Sequence, residues 1–194
     1  MDDTRSDADL LLAVAAGDRS AFEPIARRYG PRLVRFAARS VGWVDANDVV
    51  QEALTRAFLH AGRYDKRWSV TTWLFTLTRH AIVDRLRVKQ RQTTPPVDAR
   101  TYSPADAAAR RDLHGRLWQI AADRLSPDQC QALWLHYVED LDTHEVAAVM
   151  NRSWVWVKTT LSRGRRTLAP HVRHLHEPDA DQKAQPAGLN EVPV

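Results

Sequence analysis

Apolar residues recur at intervals of three and four along most of this sequence, which is the spacing of an α-helix with one buried side. Residues 68–91 show this pattern over several turns, and we expect a helix there from about Ser69. The apolar side of that helix would consist of Leu74, Phe75, Leu77, Ala81, Ile82 and Leu86. The alternation typical of β-strands is absent, and the chain has only 7 glycines. These features predict an all-α protein.

The opposite side of the same helix is basic and carries an aromatic ring. Its members are Trp73, Arg79, His80, Val83, Asp84 and Arg87. Cations attract phosphates, and an aromatic ring can stack on an unpaired base, so one interpretation is a nucleic-acid surface. A charged face that only keeps a helix solvated has the same pattern. The helix alone leaves both interpretations open.

Composition restricts the possible classes of protein. The formal net charge is only +4, so binding to an anion would depend on local clusters such as residues 85–91 and 163–173. No apolar run approaches the roughly 20 residues of a membrane span, and the acidic residues near the start do not fit a signal peptide. A single cysteine excludes an intramolecular disulfide. We therefore expect a cytoplasmic protein without direct membrane insertion.

Helix-start and helix-stop signals divide the first part of the chain. Ser6 is a candidate N-cap for the first helix, and Ser20 with Glu23 forms a candidate capping box for the second. Pro31, directly after a glycine, is expected to kink or break that second helix. A turn over residues 42–46 should lead to a third helix, which precedes the basic one.

A change of composition after residue 91 indicates a domain boundary. Residues 92–104 contain three prolines and no periodic apolar stripe, which is typical of an interdomain linker. We therefore predict two small helical domains, residues 1–91 and 107–172, joined by a flexible linker over residues 92–106. Residues 173–194 are expected to form a disordered tail.

The second domain is expected to begin with an arginine-rich helix from about Ala107, followed by a helix that Ser126 and Pro127 start. The core stripe of the latter helix would be Cys130, Leu133, Trp134, Tyr137 and Val138. Cys130 has no basic neighbour in the sequence, so a role as a small buried hydrophobe is favoured over a nucleophile or a metal ligand.

A helix-turn-helix pattern follows. Asp142 and Glu145 form a capping box for a short helix, Asn151 and Arg152 turn the chain, and Ser153 caps a longer helix through Leu168. In this arrangement the second helix can enter the major groove of DNA. A helical hairpin with no DNA role is the alternative.

The longer helix has two distinct sides. Its inward stripe would be Trp154, Val157, Leu161 and Leu168. Its outer face would hold Val155, Trp156, Thr159, Arg163 and Arg166, flanked by Thr160 and Thr167. Hydroxyls and arginines can bond base edges and phosphates. Trp156 could pack on sugars or thymine methyls, or it could be covered by another part of the protein.

Three histidines lie beyond this helix. His171 and His174 have a spacing that could place two metal ligands on one helix face, and His176 follows them. No further ligand lies nearby in the sequence, so we expect neither a metal site nor a cofactor. A phosphate-binding glycine loop and a nucleophile with its base are also absent from the sequence, which argues against an enzyme.

Short motifs in this order resemble the group IV, or extracytoplasmic function, sigma factors of bacterial RNA polymerase. Residues 48–52, 72–74 and 84–87 are similar to region 2 of that family. Residues 125–127, 137–139, 145–147, 157–158 and 161–163 are similar to its region 4. The resemblance extends over about residues 8–168 and includes the expected linker.

The resemblance implies three binding surfaces and no catalytic residue. The polymerase core would bind Asp48, Gln51, Glu52, Thr55 and Arg56. The −10 promoter element would be melted and bound by Trp68, Trp73, Arg79, His80, Val83, Asp84 and Arg87. The −35 duplex would be read by Val155, Trp156, Lys158, Thr159, Thr160, Arg163 and Arg166. The family further implies control by an anti-sigma factor.

Departures from the family pattern affect base preference. His80 stands where relatives often have asparagine. Val70 stands where the family usually has an aromatic residue, and Trp68 would take the place of that aromatic residue. Val155 and Trp156 replace smaller residues, and Thr160 replaces a frequent arginine. The alternatives are an autonomous helix-turn-helix regulator, which binds duplex DNA without polymerase, and a protein-interaction module.

Overall fold

The computed structural model describes residues 5–92 and 113–176. Within these ranges the chain forms eight α-helices and two short 3-10 turns, and no strand occurs. The helices are α1 (Asp7–Ala15), α2 (Phe22–Val41), α3 (Trp43–Leu59), α4 (Val70–Gln92), α5 (Leu113–Arg124), α6 (Pro127–Tyr137), α7 (Thr143–Met150) and α8 (Trp154–His176). The prediction of an all-α protein is confirmed.

Helices α1 to α4 form the N-terminal half. Their apolar stripes meet around Phe36 and Phe75, whose rings lie edge to face at 5.1 Å, with both side chains fully buried. Leu10, Ile25, Leu33, Leu74 and Ile82 complete the centre of this core. Burying each such side chain contributes about 1.5–3 kcal/mol, so packing rather than helix propensity holds these helices in place.

Helices α5 to α8 form the C-terminal half. Leu133 and Leu135 of α6 pack with Val146 of α7 and Val157 of α8. Gly164 permits a close helix crossing, because a Cβ atom at this position would lie 2.7 Å from Leu133 Cδ1. The predicted start of α6 at Ser126 and Pro127 and the predicted capping box of α7 are both confirmed.

The two halves pack against each other, because α4 contacts α7 and α2 contacts α6. Residues 93–112, which connect the halves and contain most of the predicted linker, lie outside the described residues. The expected start of a helix at about Ala107 and the predicted tail after residue 176 also lie outside them.

Two boundary predictions in the N-terminal half are wrong, and a third is wrong in part. At Pro31 the expected break does not occur, because α2 continues through it with Tyr29 and Leu33 on either side buried in the core, whereas the alternative of a kink stays a prediction. Ser20 does not cap α2; it lies in a 3-10 turn that the Asp18 carboxylate caps. Helix α3 begins at Trp43, directly after Gly42, so the predicted turn through residue 46 is helical instead.

Several apolar residues that were predicted to be buried are exposed, and the predicted end of α8 is wrong. Tyr137 and Val138 are 46% and 37% exposed, because α6 ends at Tyr137 and the chain turns away from the core. Trp154 and Leu86 are 40% and 39% exposed. Helix α8 continues through Pro170 to His176, beyond the expected end at Leu168. No helix among the described residues is long and apolar enough to cross a membrane.

Candidate nucleic-acid interface

Aromatic side chains gather where the loop before α4 meets the helix. The Ser69 hydroxyl accepts a hydrogen bond from the backbone N–H of Thr72 at 3.1 Å and so starts α4 at the expected position. The Tyr64 hydroxyl donates to the Trp68 carbonyl at 2.8 Å, and the Tyr64 and Trp73 rings lie 5.5 Å apart. Trp68 remains 38% exposed. The loop therefore places Trp68 and Trp73 near the same end of α4.

The basic face of α4 is only partly accessible. His80 and Arg87 are exposed, while Trp73, Val83 and Asp84 are half-buried. The Arg79 side chain is 12% exposed, and its Nη2 atom donates to Asp128 Oδ1 of α6 at 2.7 Å. The Arg79 side chain is therefore bound by the C-terminal half in this structure.

Asp84 and Arg56 join the basic face to α3. Arg56 Nη1 lies 3.3 Å from Asp84 Oδ2, and Arg56 Nη2 lies 2.5 Å from Glu52 Oε1. Arg87 Nη1 approaches the second oxygen of Asp84 at 3.9 Å. Because Asp84 neutralises cations on both helices, it orients the face in addition to any contact with DNA.

A buried carboxylate that the sequence did not reveal supports the end of α4. Asp45 of α3 is 7% exposed and accepts from Arg85 Nη2 at 2.5 Å and from the Lys89 ammonium. Burial favours the neutral acid, but the hydrogen bonds and charges of Arg85 and Lys89 outweigh it and lower the pKa of Asp45. The spacing of Arg85 and Lys89, four residues apart on α4, was the available signal.

The outer side of α3 carries the residues expected to contact polymerase. Asp48, Gln51, Glu52 and Thr55 are exposed, and Arg56 is half-buried. Next to them lies an open groove of about 430 Å³ that sequence analysis missed. Its lining is Phe22, Val34, Asn47, Val50, Gln51, Leu54, Thr55 and Phe58. The structure thus places an apolar groove beside a polar, mixed-charge helix side, which suits a protein partner.

Helix α8 presents most of its predicted outer face to solvent. Val155 is 65% exposed, and Lys158, Thr159, Arg163 and Arg166 are also exposed. Trp156 is half-buried against the core with the Arg152 guanidinium 5.5 Å from its ring centre, so the protein itself covers part of it.

The prediction that Thr160 lies on this face is wrong. Thr160 is 5% exposed, because it lies between Val157 and Gly164 at helical spacing and therefore faces the core with them.

An aromatic stack that sequence analysis also missed lies at the start of α8. The Trp154 ring stacks on His144 of α7 with 5.6 Å between ring centres and 13° between planes. Lys158 Nζ lies 4.3 Å from the Trp154 ring centre, and Trp154 Nε1 donates to the Thr143 hydroxyl at 2.9 Å. These contacts fix the angle between the two helices of the helix-turn-helix.

The remaining candidate residues do not form a site in the described part of the chain. The Cys130 thiol is buried, which raises its pKa to about 11, so the predicted core role is confirmed. His171 is half-buried, and the side chains of His174 and His176 lie outside the described residues. No group of three or more potential metal ligands occurs among the residues that the structure describes.

Comparison with known proteins gives concordant matches along the chain. Residues 25–92 match the family described as Sigma-70 region 2, and residues 119–168 match Sigma-70, region 4. The chain is 32% identical to the ECF RNA polymerase sigma factor SigM of Mycobacterium tuberculosis over 173 residues, covering 89% of this chain and 87% of the relative.

Two solved structures have a similar fold. The structure of CnrH in complex with the cytosolic domain of CnrY has a TM-score of 0.64 and 23% identity, covering 87% of this chain and 97% of that one. The sigma factor RpoE bound to the anti-sigma factor NepR from Bartonella quintana has a TM-score of 0.59 and 21% identity, covering 78% and 96%. At these identities the likeness concerns the fold.

Proposed function

Because this chain belongs to the extracytoplasmic function family of RNA polymerase sigma factors, we propose that it selects promoters through two faces on separate halves. The first is the basic face of α4 together with Trp68, which would bind the −10 element. The second is the exposed side of α8, which would bind the −35 duplex. The order of the two matched regions along one chain is the observation that carries this proposal.

At the −10 element the proposed role is to hold a separated strand. An unpaired base would stack near Trp68 and Trp73, and Arg87 would neutralise a phosphate. Stacking contributes about 1–3 kcal/mol per base, which offsets the few kcal/mol needed to unpair one. His80, exposed on the same face, would take part in base preference.

At the −35 element the proposed role is direct readout. Exposed Arg163 and Arg166 would donate to guanine edges or phosphates, and Lys158 to a phosphate. Val155, an apolar residue of α8 that is 65% exposed, would contact a thymine methyl group. Thr160 has no part in this proposal, because its side chain faces the core.

The proposed polymerase contact is the outer side of α3 with its apolar groove. Asp48, Gln51, Glu52 and Thr55 supply polar groups at the rim, and Phe22 and Phe58 supply apolar surface. Interfaces of this kind combine an apolar centre with a polar rim. The chemistry of RNA synthesis would belong to the polymerase in the cytoplasm, and this chain would contribute no catalytic residue.

We further propose an anti-sigma factor as a regulatory partner. One similar solved structure is a sigma factor bound to such a protein, and the exposed outer sides of α3 and α8 could contact one here. We also propose that residues 92–106 are the linker between the two domains.

Run-off transcription with bacterial core polymerase tests this function. The template would be genomic fragments that include the upstream region of the gene itself. We expect initiation at defined starts only when the protein is present, and a strong loss with Arg163→Ala but not with Arg27→Ala, an exposed arginine of α2. Duplex binding by the protein alone, without initiation or polymerase binding, would instead identify an autonomous regulator.

A further inference from the structure

A chain of hydrogen bonds links α1, α2 and the first turn of α4. The Tyr29 hydroxyl of α2 donates to Asp7 Oδ2 of α1 at 2.6 Å. The Thr71 hydroxyl of α4 lies 3.2 Å from the same phenol oxygen. Arg28 of α2 binds the other carboxylate oxygen of Asp7. The three helices therefore meet at the side chain of Tyr29, a residue that is only 3% exposed.

The direction of these hydrogen bonds follows from the chemistry of the groups. A phenol has one proton to donate and an ionised carboxylate can only accept, so Tyr29 donates to Asp7. The Thr71 hydroxyl is then the donor to the Tyr29 oxygen. Burial and the hydrogen bond to Asp7 raise the pKa of Tyr29 to about 12, so the phenol keeps its proton at neutral pH. Because consecutive hydrogen bonds polarise one another and this chain ends on a charged acceptor, it holds Thr71 more firmly than an isolated hydroxyl contact would.

Thr71 lies in the part of α4 that carries the aromatic residues. It follows Trp68 by three positions and precedes Trp73 by two. At about 100° per residue, the side chains of Thr71 and Trp73 project from nearly opposite sides of the helix. The N–H groups of a first helical turn have no partner inside the helix, and the Ser69 hydroxyl caps that of Thr72. The Thr71 hydroxyl adds a second anchor to this turn on the side facing away from Trp73.

Helix α1 also supports the loop before α4. It contacts the 3-10 turn Ala61–Arg63, which leads into that loop. The next residue, Tyr64, packs its ring on Trp73 and donates to the Trp68 carbonyl. Burial, and after it nearby carboxylates that include Asp7, raise the pKa of Tyr64. Helix α1 is therefore in contact with both segments that place the two tryptophans, the loop and the first turn of α4.

We propose that Asp7, Tyr29 and Thr71 are positioning residues for the −10 element. Their hydrogen-bond chain fixes the first turn of α4 and thereby the angle at which Trp68 and Trp73 meet an unpaired base. The inference rests on the proposed function, because it concerns the same −10 surface. A preformed stacking surface binds more tightly than one that must be ordered on binding. Loss of the chain should therefore weaken binding of the separated strand and leave the polymerase and −35 surfaces, on α3 and α8, unchanged.

Two substitutions each remove one hydroxyl of the chain and keep the packing. Tyr29→Phe retains the buried ring, and Thr71→Val retains the shape of threonine. Thr71→Ser keeps the hydroxyl and is the rescue variant. The matched control is Thr76→Val, because Thr76 is half-buried on the same helix and its hydroxyl donates to the Thr72 carbonyl within α4. Urea denaturation of each variant defines conditions under which all of them are folded.

The assay measures base stacking and affinity in the full-length protein bound to bacterial core polymerase. The probe is a single-stranded oligonucleotide with the non-template −10 sequence upstream of a start that run-off transcription defines, carrying 2-aminopurine in place of one base at a time. Stacking on an indole quenches the fluorescence of 2-aminopurine, so a titration at fixed salt gives both the affinity and the extent of stacking. We expect Tyr29→Phe and Thr71→Val each to weaken binding about two- to tenfold, the range for loss of one hydrogen bond. Thr71→Ser and Thr76→Val should bind like the wild type.

Two further measurements separate positioning from general stabilisation. A variant that is only less stable would lose affinity for polymerase and for the −35 duplex by the same factor as for the −10 strand. Positioning instead predicts that these two affinities stay unchanged while deuterium exchange becomes faster in a peptide of residues 64–75, which contains the Trp73 amide bonded to the Ser69 carbonyl. Faster exchange with unchanged affinity for the −10 strand and unchanged quenching would overturn the proposal.

The wild type separates failure of this inference from failure of the proposed function. If the wild-type complex with polymerase neither initiates nor quenches the probe at any position, the proposed function is refuted and the positioning role is refuted with it. If the wild type initiates and quenches, and Tyr29→Phe and Thr71→Val give the same values, the proposed function stands and the positioning role is overturned. An equal loss in Thr71→Ser and Thr71→Val would also overturn it, because the hydroxyl would then not be the group that matters.

Discussion

Replacing Asp45 with asparagine tests how α4 is anchored to the N-terminal core. Both oxygens of the Asp45 carboxylate bind cations of α4, Oδ1 binding Arg85 and Oδ2 binding Lys89. The carboxylate side chain is 11% exposed, while Arg85 and Lys89 are 39% and 41% exposed. Asparagine keeps one acceptor but turns an N–H group towards a second donor. The substitution therefore removes one charged contact and weakens the other.

The expected cost follows from these exposures. A hydrogen bond to a charged group contributes about 1.5–3 kcal/mol when buried, whereas an exposed ion pair contributes about 0–1 kcal/mol. Because the cations are well hydrated, we expect Asp45→Asn to lower the free energy of unfolding by about 1–3 kcal/mol at neutral pH. Urea denaturation followed by circular dichroism measures this difference.

The lowered pKa of Asp45 determines the pH range in which its carboxylate stabilises the fold. The folded-state pKa of Asp45 is lowered relative to an unfolded value of about 3.9, so the carboxylate stabilises the fold fully above that value. Its contribution is lost as the pH falls below about 4 and through the folded-state pKa. The wild type and Asp45→Asn should therefore converge in stability under acidic conditions.

A matched control is Asp48→Asn, because Asp48 is exposed on the same helix and makes no ion pair within the described residues. This change should alter stability by less than about 0.5 kcal/mol. A difference between wild type and Asp45→Asn that stayed constant from neutral pH to pH ~2 would refute the assignment of the effect to charge.

Three further predictions concern other parts of the chain. Ser126→Ala should lower the free energy of unfolding by about 1 kcal/mol in urea denaturation, because the Ser126 hydroxyl caps α6; Ser126→Asp, which restores an acceptor, should recover most of it. Arg163→Ala should weaken binding to the −35 duplex by about 1–3 kcal/mol in a titration at fixed salt, while Thr160→Val should leave sequence preference unchanged; a loss of specificity only in the Thr160 variant would reverse our assignment. The Cys130 thiol, with its pKa raised to about 11, should react with a thiol reagent at pH 8 only after denaturant is added, and fast labelling of the native protein would contradict its burial.

Several contacts hold the two helices of the helix-turn-helix together. The His144 and Trp154 rings stack across α7 and α8, and Asn151 in a left-handed conformation makes the turn between them. Sequence analysis predicted the capping box and this turn correctly, but it assigned Trp154 to the core. An indole can be 40% exposed and still orient two helices, because its ring contacts His144 and Lys158 and its N–H group donates to Thr143.

Local patterns in the sequence were sufficient to predict most of the helices, three of their N-caps and the family. Periodic apolar residues, Ser6, Ser126 and Asp142 act within one helix, so their effect can be predicted without knowing the rest of the fold. The ordered motifs of two regions identified a sigma factor for the same reason, since each motif is contiguous.

The tertiary structure decided which residues of each helix are exposed to solvent and which are buried or paired with a distant residue. Pro31 remains inside α2 because buried neighbours outweigh a lost hydrogen bond, and Thr160 faces the core because α8 is rotated to pack Val157 and Gly164. The partners of Asp45 and Arg79 lie 40 and 49 positions away in the chain. Contacts at such separations depend on how helices pack, and no local spacing specifies them.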